Sequence, residues 1–411
     1  MSSIIRNIGT LTHADNQMPS LLKGAAMQEI ATLDNAYVLI EAGKIAAWGP
    51  MSECPERAGT VIDAEGGYVM PCWCDSHTHL VFAAAREQEF VYRLQGLSYH
   101  EIAAKGGGIL NSARRLQAMS EEALLSAAYE RLQEVIKTGT GAIEIKSGYG
   151  LTVEAELKML RVIRRLKELT DIPVKATFLG AHAMPMEFKE NREGYLDLIL
   201  NTMLPQIADE GLADYIDVFC EKGFYSVEEM ERILEAGARY GLVGKVHTNQ
   251  FNCMGGIQAA VKHKARSVDH LEVLNEEEIA CLRNSETIAT LLPSAPFFLN
   301  DDHFPPAREL INAGVPVALA TDYNPGTTPS GRMPFVLSLA CIKLRMLPEE
   351  AINAATINGA YAMDLQEEMG SISVGKRANL IITKAMPSLA YLPYAFGSDV
   401  VQKVLVNGVL V

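Results

Sequence analysis

The stretch Tyr215–His247, YIDVFCEKGFYSVEEMERILEAGARYGLVGKVH, contains one complete structural unit with its punctuation. It opens on an apolar, β-branched run, Tyr215–Phe219, of the kind needed by a strand covered on both faces. Ser226-Val227-Glu228-Glu229 has capping-box spacing, in which serine and glutamate side chains each satisfy a free backbone N–H at a helix start. Gly241 falls where that helix should stop, because glycine enters the left-handed cap without steric cost. A second strand run, Gly244–His247, follows at once.

The same alternation extends in both directions. Ala142–Ile145, Val174–Leu179, Ser267–His270, Ile288–Leu292 and Val315–Ala320 read as strands, and Val69–His79 completes eight. Gly139 and Gly314 mark helix ends before strands. Eight strand–helix units over about 270 residues predict an α/β fold, a (β/α)8 TIM-like barrel. The alternative is a doubly wound open sheet, which is set back because no GxGxxG opens a helix after a strand. Both chain ends read differently, as short strands and turns. Examples are Ala36–Ile40, Gly43–Trp48, Val61–Asp63, Gly67–Met70, Asn379–Thr383, and Lys403–Leu410 around an Asn407-Gly408 turn. The expected organisation is therefore one small β domain from residues 1–68 and 366–411, beside a barrel spanning 69–365.

Composition narrows the functional classes. The 411 residues include 48% hydrophobic and 21% charged side chains, with a formal net charge of −14. Such acidity disfavours nucleic acid and anionic membranes, which need a positive patch. No run approaches the ~20 apolar residues of a membrane span, and the N-terminus lacks a basic-then-apolar signal. A cytoplasmic protein is expected, acting on a small molecule, with no nucleic acid and no membrane as partner. The seven cysteines do not form a disulfide framework. Cys72 and Cys74 flank Trp73 and read as small packing residues, since no second cysteine pair exists to complete a thiolate site.

The densest chemical signal is Asp75-Ser76-His77-Thr78-His79. In a strand, residues two apart face the same way, so His77 and His79 can aim both imidazoles at one ion. Alone, HxH is equally compatible with two ordinary barrel residues. Three more residues add weight: His247, His270 and Asp322 each end or follow a predicted strand. That is the face on which barrel enzymes keep their chemistry. A single histidine would read as a core residue; four histidines and an aspartate at strand exits are poorly explained that way. Imidazoles with a carboxylate suit zinc or iron(II). His77, His79, His247 and Asp322 are the expected ligands of one such ion, leaving room for a water whose pKa falls toward ~7. Asp322 can also take that water's proton, and His270, off the metal, can orient the nucleophile or polarise a carbonyl. His13, His100 and His263 read as surface or loop residues, while His303, near Asp322 in sequence, stays open.

Several blocks extend this pattern: DSHTHLVFAAARE (Asp75–Glu87), AKGGGIL (Ala104–Leu110), EIKSGYGL (Glu144–Leu151), GAHAMP (Gly180–Pro185), SVDHLE (Ser267–Glu272) and ATDYNPGT (Ala320–Thr327). In this order the chain resembles the amidohydrolase superfamily and, within it, the imidazolonepropionase family. That family hydrolyses 4-imidazolone-5-propanoate to N-formimidoyl-L-glutamate in histidine degradation. The resemblance implies a barrel with a β-sandwich built from both chain ends, commonly a homodimer. It implies zinc or iron on His77, His79, His247 and Asp322, and a catalytic His270. It also implies substrate contacts at Arg86, Tyr149, His182, Asn324, Gly326 and Thr327.

These roles are chemically reasonable. Arg86 can pair bidentately with a propanoate carboxylate, although a lone arginine is by default a surface residue. Tyr149 offers a hydroxyl and a ring face, and His182 can bond the ring or the propanoate; their plainer readings are a loop aromatic and a core histidine. Asn324-Pro325-Gly326-Thr327 is first of all a turn sequence. Gly106-Gly107-Gly108 lacks the lysine of a phosphate loop and reads as a mobile loop near the substrate. Family members often carry Asp-Glu after the third metal histidine, where this chain has Asn249-Gln250. Gln250 joins the substrate-binding and catalytic set as a hydrogen-bonding group that cannot carry a proton, which moves acid–base duty to Asp322 and His270. Lys146 and Lys175, near predicted strands, read as structural or salt-bridging lysines, not as carboxylated bridges between two metals. Two rival functions are a purine or pyrimidine deaminase and a non-catalytic barrel that only binds. The second is disfavoured because all four ligands are present.

Overall fold

The computed structural model describes residues 2–56, 58–97, 101, 105 and 107–411. The expectations for His100 and Gly106 lie outside these residues. The N-terminal end forms β1 (Ser2–Thr12), β2 (Thr32–Glu41), β3 (Lys44–Pro50), β4 (Thr60–Asp63) and β5 (Tyr68–Pro71). Strand β1 is central: it pairs antiparallel with β2 and parallel with β4 and β5. It buries Ile4, Ile5, Ile8 and Leu11. A bulge between Ile5 and Ile8, with Asn7 at φ 54°, interrupts its ladder.

The barrel strands follow: β6 (Trp73–Asp75), β7 (Thr140–Lys146), β8 (Val174–Ala181), β9 (Tyr215–Cys220), β10 (Val243–Thr248), β11 (Ser267–His270), β12 (Ile288–Leu291) and β13 (Val317–Leu319). They pair in parallel and in sequence order from β6 to β13. Every residue of β7, β9, β11, β12 and β13 is buried, as strands covered on both faces require. The chain end then supplies β14 (Leu380–Thr383), β15 (Val401–Val406) and β16 (Val409–Leu410). Strand β14 pairs antiparallel with β5, so both ends share one sheet with its own apolar core. The architecture is a nearly closed (β/α)8 barrel beside a smaller sheet built from the two termini.

The helix punctuation holds at the quoted unit. Ser226 and Glu229 form a reciprocal capping box on the helix Val227–Arg239, and Gly241 takes φ 78° just beyond it. Gly314, at φ 83°, caps Ala307–Ala313 in the same way.

Two readings need correction. The run Val69–His79 is not one strand. Cys72 N donates to Asn379 O in the terminal sheet, whereas Trp73 N donates to Gly139 O in the barrel, so the chain changes sheets between adjacent residues. His77 and His79 therefore lie just past β6, not within it. His13 is not a surface residue but is wholly buried. Its ring lies 3.0 Å from Thr12 Oγ1 and 3.0 Å from Asn353 Oδ1, which ties the end of β1 to the helix Pro348–Ala355.

Cys72 and Cys74 are fully buried and all seven cysteines are free, in line with the packing reading. No helix among the described residues is long and apolar enough to cross a membrane.

Between β6 and β13 the barrel has no ladder among the described residues. The gap is bridged by an isolated Thr78–Tyr323 pairing. His79 N donates to Tyr323 O at 2.9 Å and Asp322 N to His77 O at 3.0 Å. Asp75 binds Thr321 through both carboxylate oxygens, accepting from its N at 3.0 Å and its Oγ1 at 2.6 Å. Three of the four expected metal residues, His77, His79 and Asp322, lie along this seam, and His247 reaches the group from the end of β10.

Candidate active site

His77, His79 and His247 meet at the C-terminal mouth of the barrel, each offering a ring nitrogen within 4.8 Å of the others. The Nε2 atoms of His79 and His247 face each other at 3.4 Å. Asp322 Oδ1 stands 3.7 Å from Nε2 of both His77 and His79. His77 Nε2 is buried without a hydrogen-bond partner among the described residues. Buried nitrogens that face one another, with a carboxylate alongside, are a poor arrangement for hydrogen bonding and a good one for sharing a cation. The donor set fits one divalent metal ion.

The opposite ring edges are fixed by carboxylates. His77 Nδ1 lies 2.7 Å from Asp269 Oδ2, and His247 Nδ1 lies 2.9 Å from Asp217 Oδ2. For His77 this hydrogen bond places the proton on Nδ1 and leaves the Nε2 lone pair for an ion; His247 Nδ1 is close to its carboxylate without hydrogen-bond geometry. Burial, helped by Lys146, keeps His77 well below the usual histidine range, and burial with His182 and His247 does the same for His79. Both are neutral, the form in which an imidazole can take a metal.

His270 stands beside the group, its ring centroid 5.5 Å from that of His247. It and Leu271 take consecutive positive φ values of 87° and 68°, a strained backbone of the kind that collects at functional sites. Burial works against its protonated form, but Glu272, at 3.3 Å from Nδ1, and Asp322 raise its pKa to about 9. Asp322 itself is raised by burial, opposed by His270 and His247.

Above these residues opens a cavity of about 660 Å³. Every expected substrate contact lines it: Arg86, Tyr149, His182, Gln250, Asn324, Gly326 and Thr327. Of the expected ligands, His79, His247 and Asp322 face it, whereas His77 lies beneath. Tyr149 sits on a loop whose Gly148, Gly150 and Leu151 N–H groups all donate to Glu156, at 3.0, 2.7 and 2.9 Å. The His182 ring stacks on that of His79 at 5.2 Å, and burial pushes its pKa down to about 3. Gln250 lies on the loop after β10, where Glu221 accepts from Phe251 N and Asn252 N.

Arg86 precedes the helix Glu87–Leu94, and its Nη2 donates to Glu89 at 2.5 Å. The other Glu89 oxygen accepts from Gly108 N at 2.9 Å. Gly326 contributes through its lack of a side chain: a Cβ there would lie 2.4 Å from Arg86 Nη1. The Asn324 amide is fully engaged within its turn, accepting from Gly326 N and Thr327 N and donating to Asp322 O and Thr327 Oγ1. His303, left open from sequence, is exposed and pairs with Asp301. His263 is half-buried and meets Glu231. Lys175 lies 3.8 Å from Asp214, outside the cavity.

Sequence reasoning missed Glu89 and Arg93, which follow Arg86 by three and seven residues and so share a helix face with it. Arg93 Nη2 donates to Gly326 O at 3.1 Å. It also missed the apolar wall of Leu97, Ile109, Phe219, Phe224, Phe251 and Leu299. Phe219 alone carried a signal, at the end of a strand run. The carboxylates behind His247 and His77, Asp217 and Asp269, were visible only as charges inside apolar runs.

Residues 68–411 match the model of the amidohydrolase family. The chain belongs to that family. A relative named imidazolonepropionase from Flavobacterium johnsoniae is 56% identical over 412 residues, and one of the same name from Christiangramia forsetii is 54% identical; each match covers the whole of both chains. This places the chain among the imidazolonepropionases. A solved adenosine deaminase from Xanthomonas campestris, described with bound zinc, has the same fold, with a TM-score of 0.70 at 17% identity over 99% of this chain and 92% of that one.

Proposed function

We propose that the chain hydrolyses the ring C–N amide bond of 4-imidazolone-5-propanoate to give N-formimidoyl-L-glutamate. The observation that carries this reading is one cavity joining a cation-binding histidine group at its base to an arginine in its wall. His77, His79, His247 and Asp322 would hold zinc or iron, which when bound supplies Lewis acidity and an activated water.

The chain's own residues do the rest. Arg86 binds the propanoate carboxylate; its Nε is buried with no partner among the described residues and is left to donate. Tyr149 and His182 hold the ring, and Gln250 hydrogen-bonds to it without moving a proton. Asn324 shapes the turn that presents Gly326 and Thr327. His270, whose protonated form is favoured by Glu272 and Asp322 against burial, donates to the carbonyl oxygen as negative charge develops there. Asp322 takes a proton from the attacking water and delivers it to the departing ring nitrogen. Water oxygen thereby joins the carbonyl carbon, the C–N bond breaks, and the ring opens. The family resemblance adds a homodimer to this proposal.

A spectroscopic assay of imidazolone loss, with and without chelator, tests the reading. The expected result is turnover that chelator abolishes and added zinc or iron(II) restores. Ammonia release from aminopurines, with no loss of imidazolone absorbance, overturns it in favour of a deaminase.

A further inference from the structure

The barrel interior beneath the histidines is charged where barrels are normally filled by branched apolar side chains. Glu144, Lys146, Asp217, Lys245 and Asp269 are all buried there. Asp217, His247 and Asp269 bring ligand atoms within 4.8 Å of one another, the spacing of a second cation group. Lys146 already supplies its cation: its Nζ lies 2.8 Å from Asp217 Oδ2 and 3.5 Å from Asp269 Oδ2.

These two oxygens are the ones that face Nδ1 of His247 and His77, respectively. The second oxygen of each carboxylate is held separately, Asp269 Oδ1 by Ser267 Oγ at 2.6 Å and Asp217 Oδ1 by Val218 N at 2.7 Å. Glu144 Oε1 anchors the ammonium from below at 2.8 Å and itself accepts from Thr177 Oγ1 at 2.6 Å. Lys245, also bound to Glu144, balances that charge. The Lys146 backbone N donates to Thr78 O at 2.8 Å, between two of the ligand histidines. Two buried carboxylates this close repel each other strongly in a low-dielectric interior. A single ammonium between them fixes their separation and, through it, the aim of two imidazoles.

We infer that Lys146 is a positioning residue: its ammonium holds the Asp217 and Asp269 carboxylates that orient His247 and His77 toward the ion. The inference rests on the metal reading above. Chelator-stripped wild type and Lys146→Met, which keeps length and bulk but not charge, are titrated with cobalt(II). Affinity is read by chelator competition and ligand geometry by the visible absorption bands. Failure of the wild type to bind one ion per chain would sink the metal reading itself. With that binding in place, the variant is expected to bind cobalt roughly ten- to hundred-fold more weakly, with altered bands, while its metal-free form still unfolds cooperatively. Equal or tighter binding with unchanged bands overturns the inference, because a lysine that merely faces the ion as a like charge would tighten binding when removed. If Lys146→Met does not fold, Lys146→Gln, which retains a donor, takes its place. If neither folds, nitrogen-15 spectra of the wild type decide. A slowly exchanging lysine ammonium that shifts on zinc loading, beside two imidazoles protonated at Nδ1, supports the inference; an unshifted ammonium rejects it.

Discussion

At the scale of single residues, the cavity separates binding from chemistry. Arg86→Met removes a charge-assisted donor pair and is expected to raise KM roughly ten- to hundred-fold with metal content unchanged. Steady-state kinetics with metal analysis on the same sample checks this. Asp322→Asn is expected to abolish turnover while the far-ultraviolet spectrum stays native; retained full activity would remove Asp322 from the mechanism. His77, His79, His247, His270 and Asp322 were legible in sequence, because strand exits can be counted and HxH spacing has a geometric meaning, whereas Arg86 and the other cavity contacts came only with the family resemblance. Glu89 was not legible, and Lys146 was read as a structural or salt-bridging lysine without its partners, which are Glu144 and Asp217. Their importance comes from what they touch, and Arg86–Glu89 or Lys146–Asp217 contacts exist only once helix and strands are placed.

At the scale of elements, the loop carrying Tyr149 depends on the helix Val153–Leu169 that follows it. One side chain of that helix, Glu156, accepts three loop N–H groups. Glu156→Ala leaves buried donors unpaired, at a cost of about 1–3 kcal/mol in stability. Denaturant titration measures that loss, and a parallel rise in KM would show that the loop also holds substrate. Elements were read well where pattern and punctuation agree, as at Ser226 and Gly241. They were read poorly where they do not. Strand β1 was passed over because Asn7 and Gly9 break its alternation at the bulge. The Val69–His79 run hid a change of sheet, since apolar continuity is the same on both sides of Cys72.

For the whole molecule, His13 links the terminal sheet to the barrel and carries a pH dependence. Burial lowers its pKa from 6.5 to about 4, against the hydrogen bond to Asn353. The unfolded chain therefore binds the proton more tightly, and stability falls as pH drops below 6.5, levelling off below about 4. The loss by pH 5 is about 2 kcal/mol. Metal-free wild type and His13→Gln, compared by denaturation from pH 7.5 to 5, should differ less at the acid end; a constant gap would reject the assignment. The joining of the two chain ends was expected from the family resemblance, since a strand-rich pattern at each end does not by itself show that they meet. Which histidine fastens that junction to the barrel was not, because a lone His gives no sign of burial.

The seam between β6 and β13 gives metal loss a mechanical consequence. His77 and His79 stand on one lip of the gap and Asp322 on the other, so an ion shared among them would work as a clasp on a bracelet whose last link is missing. Chelation should then loosen the molecule there first. Amide hydrogen exchange is expected to speed up at residues 75–79 and 321–323 while β8 and β9 stay protected. Catalytic competence and barrel closure would be lost together, well before the chain melts.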